Sequence, residues 1–264
     1  MTTSKNTILV KIGGSLIADS PKLKLLMRDL SIAVKQGYKF IIVHGGGIQA
    51  DELSIKLGIQ PKKIEGRRIT SHQEIDILKM LYGGSLNLDI IQALKALGLK
   101  AIRLSGVDGD WLEVTKRKST ELDYGLVADF KSLKPDIFTE LLKLELIPVV
   151  APLSYDQGEI LNINADTLSL KIAQELKLER MILISDIPGV LDENNQLITR
   201  LNSAEANRLI KSNIINGGMH VKVNACLEGL NSGIKQITII NGFSATSQLL
   251  DTINGAIIGT NFEL

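Results

Sequence analysis

The chain has 264 residues, 44% hydrophobic and 22% charged, enough to bury one large α/β core or two coupled lobes, which excludes a disordered chain. Its 30 basic and 29 acidic residues leave a formal charge of +1, so no global field draws in nucleic acid or an anionic membrane, and any anion must be met by local charges. A single cysteine, Cys226, excludes an internal disulfide and a Cys-based zinc cage; His44, His72 and His220 show no metal-ligand spacing.

The first apolar stretch, "TILVKI" at 7–12, is too short for a signal-peptide core and is interrupted by Lys11, and no membrane-length apolar run follows; the expected location is the cytoplasm. "TILVKI" reads as a strand, "LKLLMRDLSIAVKQG" as a helix, "KFIIVH" as a strand and "IQADELSIKLG" as a helix. This alternation predicts βαβ units and a parallel sheet with helices on its faces. The longest helix is expected from Ser71, "SHQEIDILKMLYGGSLNLDIIQALKALG", where Ile75, Leu78, Leu81, Leu88, Ile91 and Leu94 recur at three- and four-residue steps. Gly83 and Gly84 in its middle cost about 1 kcal/mol each relative to Ala, which calls for compensation by close packing on the chain's own sheet or by a subunit contact.

Beyond "KAIRLS", the stretch "GVDGDWLEVTKRKSTELDYGLVADF" predicts short strands and turns forming hairpins that project from the sheet. "LIPVVAPLS" then restores a buried strand. After "GEILNINAD" come the helix "TLSLKIAQELKLE", the strand "RMILISD" and a turn "IPGV". A helix near "SAEANRLIKSN" follows, then another from Met219 that carries Cys226 as a small buried residue, the strand "KQITII" and a closing helix. No repeat or Pro-rich linker divides the chain, so its two halves are expected to share one sheet.

Six places carry chemistry. In "KIGGS", Lys11 ends a strand ahead of Gly13 and Gly14, where open α/β sheets place ligands and bare backbone turns N–H groups toward an anion. In "VHGGG", Gly45 to Gly47 stand between a strand and a helix, although the spacing fits neither a P-loop nor a dinucleotide fingerprint. Two such turns from successive strands are expected side by side. In "EGRRIT", Arg67 and Arg68 are either a solvated pair or a grip for a carboxylate. In "LNINAD", Asn162, Asn164 and Asp166 lead into a helix; Asp166 either caps it or holds lysines in place. "SDIPGVLD" leaves a strand through a Pro-Gly turn. In "IINGGMHVKVNA", Lys222 follows Gly217 and Gly218 by about a helical turn and is either an idle surface cation or a charge aimed at phosphate.

In this order and spacing, "VKIGGS", "IIVHGGG", "EGRRIT", "MLYGGSLN", "LIPVVAPLS", "LNINAD", "LISDIPGVLD" and "GGMHVKVNA" resemble the amino acid kinase family, and most closely its acetylglutamate kinase branch. The resemblance implies a three-layer αβα sandwich with a central, mainly parallel sheet, forming one domain. An N-terminal lobe over about 1–178 would bind an acyl amino acid and a C-terminal lobe over about 179–264 a nucleotide. It implies transfer of the γ-phosphoryl group of MgATP to the side-chain carboxylate of N-acetyl-L-glutamate, on the route to arginine or ornithine, catalysed by positioning and charge. Carried over by motif, Lys11 and Lys222 would neutralise the moving phosphoryl group and Asp166 would orient them, with amides around Gly13, Gly14 and Gly46 joining in. Arg68, rather than Arg67, would bind the α-carboxylate with Asn162, and Gly46 and Gly47 would contact the acyl amino acid. Asp186, Ile187, Pro188, Gly189, Val190 and Leu191, with Ile214, Ile215 and Asn216, would hold the nucleotide. Mg²⁺ would come with ATP and not in a protein metal site.

The chain starts shortly before its first strand, without the helical extension of arginine-inhibited hexameric relatives, so a homodimer without arginine feedback is expected. It departs from the family's pattern at Ala128, where glycine is commoner, and at Asn261, where arginine is usual; both departures bear on peripheral loops. Relatives with N-succinylglutamate or carrier-linked aminoadipate as substrate, and a sensor of the same fold without turnover, are the alternatives. The joint presence of Lys11, Arg68, Asp166 and Lys222 argues against the sensor, and the missing fingerprint argues against a dinucleotide oxidoreductase.

Overall fold

The computed structural model describes residues 6–64, 67–120, 122–244, 246 and 248–263, with the backbone alone of Arg67. Gly66 and the side chain of Arg67, part of the arginine motif, therefore lie outside the described residues. From the N-terminus, β1 (Thr7–Ile12) runs into a short helix α1 (Gly14–Ala18) and then α2 (Ser20–Lys35); β2 (Lys39–His44) leads into α3 (Gly47–Lys56). A hairpin of β3 (Lys62–Ile64) and β4 (Arg67–Ile69) precedes α4 (His72–Met80) and α5 (Leu86–Lys95). Next come β5 (Ala101–Gly106), the antiparallel pair β6 (Leu112–Lys116) and β7 (Ala128–Leu133), α6 (Asp136–Lys143), β8 (Ile147–Asp156), β9 (Glu159–Asn162) and α7 (Ala165–Glu175). The chain closes with β10 (Arg180–Ser185), β11 (Arg200–Leu201), α8 (Ser203–Lys211), α9 (Gly217–Asn231), β12 (Gln236–Asn241), α10 (Gln248–Ile253) and β13 (Thr260–Phe262).

Among the described residues, nine strands make one sheet in the order β11-β13-β12-β10-β1-β2-β8-β5, with β9 paired to β8. All neighbours from β12 to β5 run parallel, while β13 and β9 pair antiparallel to β12 and β8. Every residue of β1 is buried, as are the last five of β2 and of β10. Burial on both faces is why these segments read as continuous apolar runs rather than alternating ones. Helices α2, α5 and α10 pack together, as do α7 and α9, and these groups cover the sheet. Strand β1 is central: the chain winds outward from it through β2 on one side and through β10 and β12 on the other. A crevice beyond the C-terminal end of such a strand is where open α/β sheets hold ligands.

Several expected elements differ in detail. The helix from Ser71 is not continuous: α4 opens with a capping box between Ser71 and Glu74, and a π-helical turn over Leu81–Ser85, with Gly84 at φ −116° and ψ −106°, separates it from α5. A wider turn rotates the following residues, so the buried stripe of α5 is Leu86, Ile90 and Leu94, and Leu88 is 48% exposed. Close packing does not require glycine here. A Cβ on Gly83 would lie 3.5 Å from Leu153, an ordinary contact, and one on Gly84 would lie 4.0 Å from the Lys79 carbonyl.

Helix α6, which seats Phe138 edge-on against Trp111 at 4.9 Å, and the short strands β11 and β13 were not legible as elements. Asn261 lies in β13, not in a loop, and its Oδ1 accepts from Thr238 Oγ1 at 2.6 Å. Cys226 is 1% exposed on α9, as expected.

Candidate active site

The parallel register puts the two glycine turns against each other at the C-terminal ends of β1 and β2, since Ile12 pairs with His44. Gly45 N–H donates to the Ile12 carbonyl at 2.9 Å. A Cβ on Gly14 would stand 2.7 Å from Gly46 Cα, and one on Gly46 would collide with Leu86 Cδ1 and, at 2.6 Å, with Tyr82 Cε1. Glycine is required at Gly14 because the two backbones come closer than a Cβ permits, and at Gly46 because the Tyr82 ring and Leu86 fill the space that a Cβ would take. Gln49, on α3, ties the turns together: its Nε2 donates to the Gly14 carbonyl at 2.5 Å. Gly13 N–H is committed to the Ile184 carbonyl at 3.3 Å, and no backbone carbonyl among the described residues takes those of Gly14 and Gly46. Of the three amides expected to meet phosphate, Gly14 and Gly46 are the ones on offer.

Lys11 enters this crevice from β1 and is 7% exposed. Its Nζ lies 2.8 Å from Asp166 Oδ1. The ambiguity over Asp166 is resolved by its neighbour: Asn164 is the cap of α7, its side chain accepting from Thr167 N at 2.9 Å, which leaves Asp166 in the first turn to face the lysine. Burial pushes the Asp166 carboxyl toward its neutral form, but the charges of Lys11 and Lys222 and the close contact with Lys11 outweigh it and hold the pKa below the usual value. A buried carboxylate stripped of its partner costs several kcal/mol; Lys11 pairs with Asp166 directly and Lys222 acts on it through charge alone, and two cations against one anion leave one positive charge uncompensated. That surplus suits a site through which an anion passes. One turn along α9 from Lys222, burial drives the Cys226 thiol upward, so it stays protonated.

Beside this centre is a cavity of about 230 Å³ lined by Gly45 to Gly47, Arg68, Tyr82, Asn162 and Asp166, among others. Arg68 projects into it from β4 and is 8% exposed. Its guanidinium donates to the Asp51 carboxylate, to the Gly47 carbonyl at 3.0 Å and to Glu74 Oε1 at 3.3 Å. These bonds occupy three of its five N–H donors and leave two for a ligand carboxylate. Glu74 reaches Arg68 while also accepting from Ser71 N and Oγ at 2.9 Å each, so the capping box of α4 fixes the arginine. Asn162 Nδ2 donates to Thr70 Oγ1 at 3.1 Å, which aims its amide along the wall. Burial pushes the Tyr82 phenol up to about 12, with Arg68 opposing.

Sequence reading missed Lys63, paired with Asp51 at 2.5 Å, and Arg117, whose Nε donates to Asp129 at 2.9 Å beneath a cation–π contact with Tyr124. In "VTKRKST" a charge run reads as a solvated face, and only the fold turns Arg117 into this wall.

The stretches expected to hold nucleotide are not part of that cavity. Asp186, Ile187 and Pro188 are exposed just beyond β10, at the same C-terminal end of the parallel strands as Lys11, whereas Gly189 and Val190 are buried. Val190 N donates to Thr260 Oγ1 at 2.8 Å, and Leu191 bridges to Leu197. Ile215 is 2% exposed and belongs to the core, while Ile214 and Asn216 lead into α9. A second cavity of about 520 Å³ lies between α7 and α9 and shares Asn164 and Asp166 with the first.

A parallel sheet whose switch point carries two glycine turns, and a buried carboxylate held charged between two lysines, define an α/β protein of the anion-handling type that works without a P-loop. The chain belongs to the amino acid kinase family, whose description matches residues 6–241. It is 36% identical to an acetylglutamate kinase of Allorhizobium ampelinum over 96% of this chain and 90% of that one. An acetylglutamate kinase of Brachyspira hyodysenteriae is 34% identical over 97% and 90%. The crystal structure of a Streptococcus mutans protein superposes with a TM-score of 0.84 at 25% identity, covering 98% of both chains.

Proposed function

We propose that this chain is an ATP-dependent kinase that phosphorylates the side-chain carboxylate of N-acetyl-L-glutamate to N-acetyl-L-glutamyl 5-phosphate, in arginine or ornithine biosynthesis. The observation that carries the reading is Asp166, held ionised by Lys11 and Lys222 beside the paired glycine turns. A carboxylate acceptor is already ionised at neutral pH, so transfer needs no general base. This agrees with a site whose one central carboxylate is committed to lysines. A side-chain oxygen of the acyl amino acid attacks the γ-phosphorus, the bond to the bridging oxygen breaks, and ADP leaves with the electron pair.

Lys11 and Lys222 offset the charge spread over the moving phosphoryl oxygens, and the Gly14 and Gly46 amides donate to them. Arg68 and Asn162 hold the α-carboxylate end in the 230 Å³ cavity, with Gly46 and Gly47 along the chain. The loop 186–191 and residues 214–216 take the nucleotide, and Mg²⁺ arrives as part of that substrate. The same reading makes the protein a cytoplasmic homodimer; Met80 and Leu88, 56% and 48% exposed on α4 and α5, are apolar side chains that a subunit contact would cover.

Hydroxylamine trapping of acyl phosphate tests the reaction. The assay is run with MgATP and N-acetylglutamate, N-succinylglutamate, N-acetylaspartate or glutamate. Hydroxamate is expected with N-acetylglutamate foremost; preference for another acyl amino acid, or none formed with any, would overturn the assignment.

A further inference from the structure

His44, the residue before the glycine triplet, is fully buried and has no part in the chemistry above. Its Nδ1 lies 3.0 Å from the Gly45 carbonyl. A carbonyl oxygen only accepts, so the ring proton must sit on Nδ1, and Nε2 must present a lone pair. On the other side of the ring, 3.1 Å away, is Asn87 Nδ2, which also donates to the Val149 carbonyl at 3.0 Å. That second bond fixes the amide's orientation, so Asn87 spends both N–H groups, one on β8 and one on the imidazole. Asn87 is itself 1% exposed. Burial lowers the His44 pKa to about 4, which keeps the ring neutral and the lone pair available.

The Gly45 carbonyl belongs to the same peptide unit as the Gly46 N–H, and the chain has no cis peptides among its described residues. In a planar trans unit the two groups point in opposite directions. Turning the carbonyl down onto a buried ring therefore turns the Gly46 N–H away from it. We infer that His44, braced by Asn87, is a positioning residue that orients the Gly45–Gly46 peptide so that the Gly46 amide donates to the phosphoryl group in flight. The inference rests on the kinase reading for its kinetic test and on geometry alone for its spectroscopic one.

Two substitutions separate positioning from packing. His44→Asn places an amide nitrogen near the position of Nδ1 and keeps the donor to Gly45 while losing Asn87. His44→Gln reaches Asn87 in the manner of Nε2 but loses Gly45. If the ring orients the peptide, His44→Gln lowers kcat by about 30- to 100-fold, at or below the low end of what complete loss of one amide contact to the transition state costs, because the amide is turned and not removed. KM for MgATP stays within about threefold, and His44→Asn recovers most of the turnover. Equal loss in both variants, or wild-type kcat in His44→Gln, would overturn the inference. The unsubstituted protein gives a check independent of folding: ¹⁵N NMR of the imidazole should show Nδ1 protonated and Nε2 bare at neutral pH, and the Nε2–H form would contradict it. Absence of turnover in the wild-type protein with a correct tautomer would instead strike at the kinase reading.

Discussion

At the scale of single residues, the centre is a charge problem that Asp166 solves. Without it, two cations would face each other across a poorly solvated crevice; with it, Lys11 is paired, the charge of Lys222 is partly offset, and one positive charge remains uncompensated. Lys222→Ala should therefore leave the fold intact and lower kcat by about two or more orders of magnitude, measured by steady-state ADP release. Retained turnover would remove Lys222 from the mechanism. Arg68→Ala should raise KM for the acyl amino acid at least about tenfold, the scale of a lost charged hydrogen bond, and leave KM for MgATP alone. A selective loss of nucleotide affinity would show that the halves are assigned the wrong way round.

These residues were legible because each stands in a local motif at a strand or helix end. His44 with Asn87, and Arg68 with Asp51, were not: the partners lie 43 and 17 residues apart, and only the packed sheet brings them together.

At the scale of elements, the π-helical turn between α4 and α5 does what the sequence pattern could not announce. Periodicity across "LKMLYGGSLNLD" reads as one helix because a single extra residue in a turn leaves apolar residues on both sides. In the structure the wider turn re-phases α5 and brings Tyr82 and Leu86 onto Gly46. Gly46→Ala should consequently cost at least about tenfold in kcat, since the added methyl must push the turn off Tyr82 and Leu86 and misplace an amide by some tenths of an ångström. Circular dichroism should stay native; an alanine variant with full activity would mean that the turn is not held as tightly as its contacts indicate. The order of strands and helices near the centre of the sheet was readable from apolar runs and glycine turns. The short strands β11 and β13 on the far side of β12 were not, because two- and three-residue pairings leave no periodicity to read.

At the scale of the whole molecule, the central strand β1 meets one half of the sheet through β2 and the other through β10, so Lys11 stands where the two halves join. Such a join also ties stability to the site. His44 has a folded pKa of about 4 against an ordinary 6.5, and the groups around the ring are uncharged: the Gly45 carbonyl, Asn87 and the edge of Tyr82. The unfolded chain binds this proton between those pH values and the folded protein does not, so stability rises with pH across the window. About 3 kcal/mol should be lost as pH falls from 6.5 to 4. Urea unfolding at a series of pH values checks this, and His44→Asn should flatten that part of the profile; an unchanged slope would mean that another group titrates.

The central claim is that this arrangement moves a phosphoryl group onto a carboxylate, and ³¹P NMR of the protein with MgATP and N-acetyl-L-glutamate reads it directly. An acyl-phosphate resonance growing in step with ADP, and absent without the acyl amino acid, is the predicted result. ADP accompanied by inorganic phosphate from the outset, at a rate indifferent to N-acetyl-L-glutamate, would contradict it.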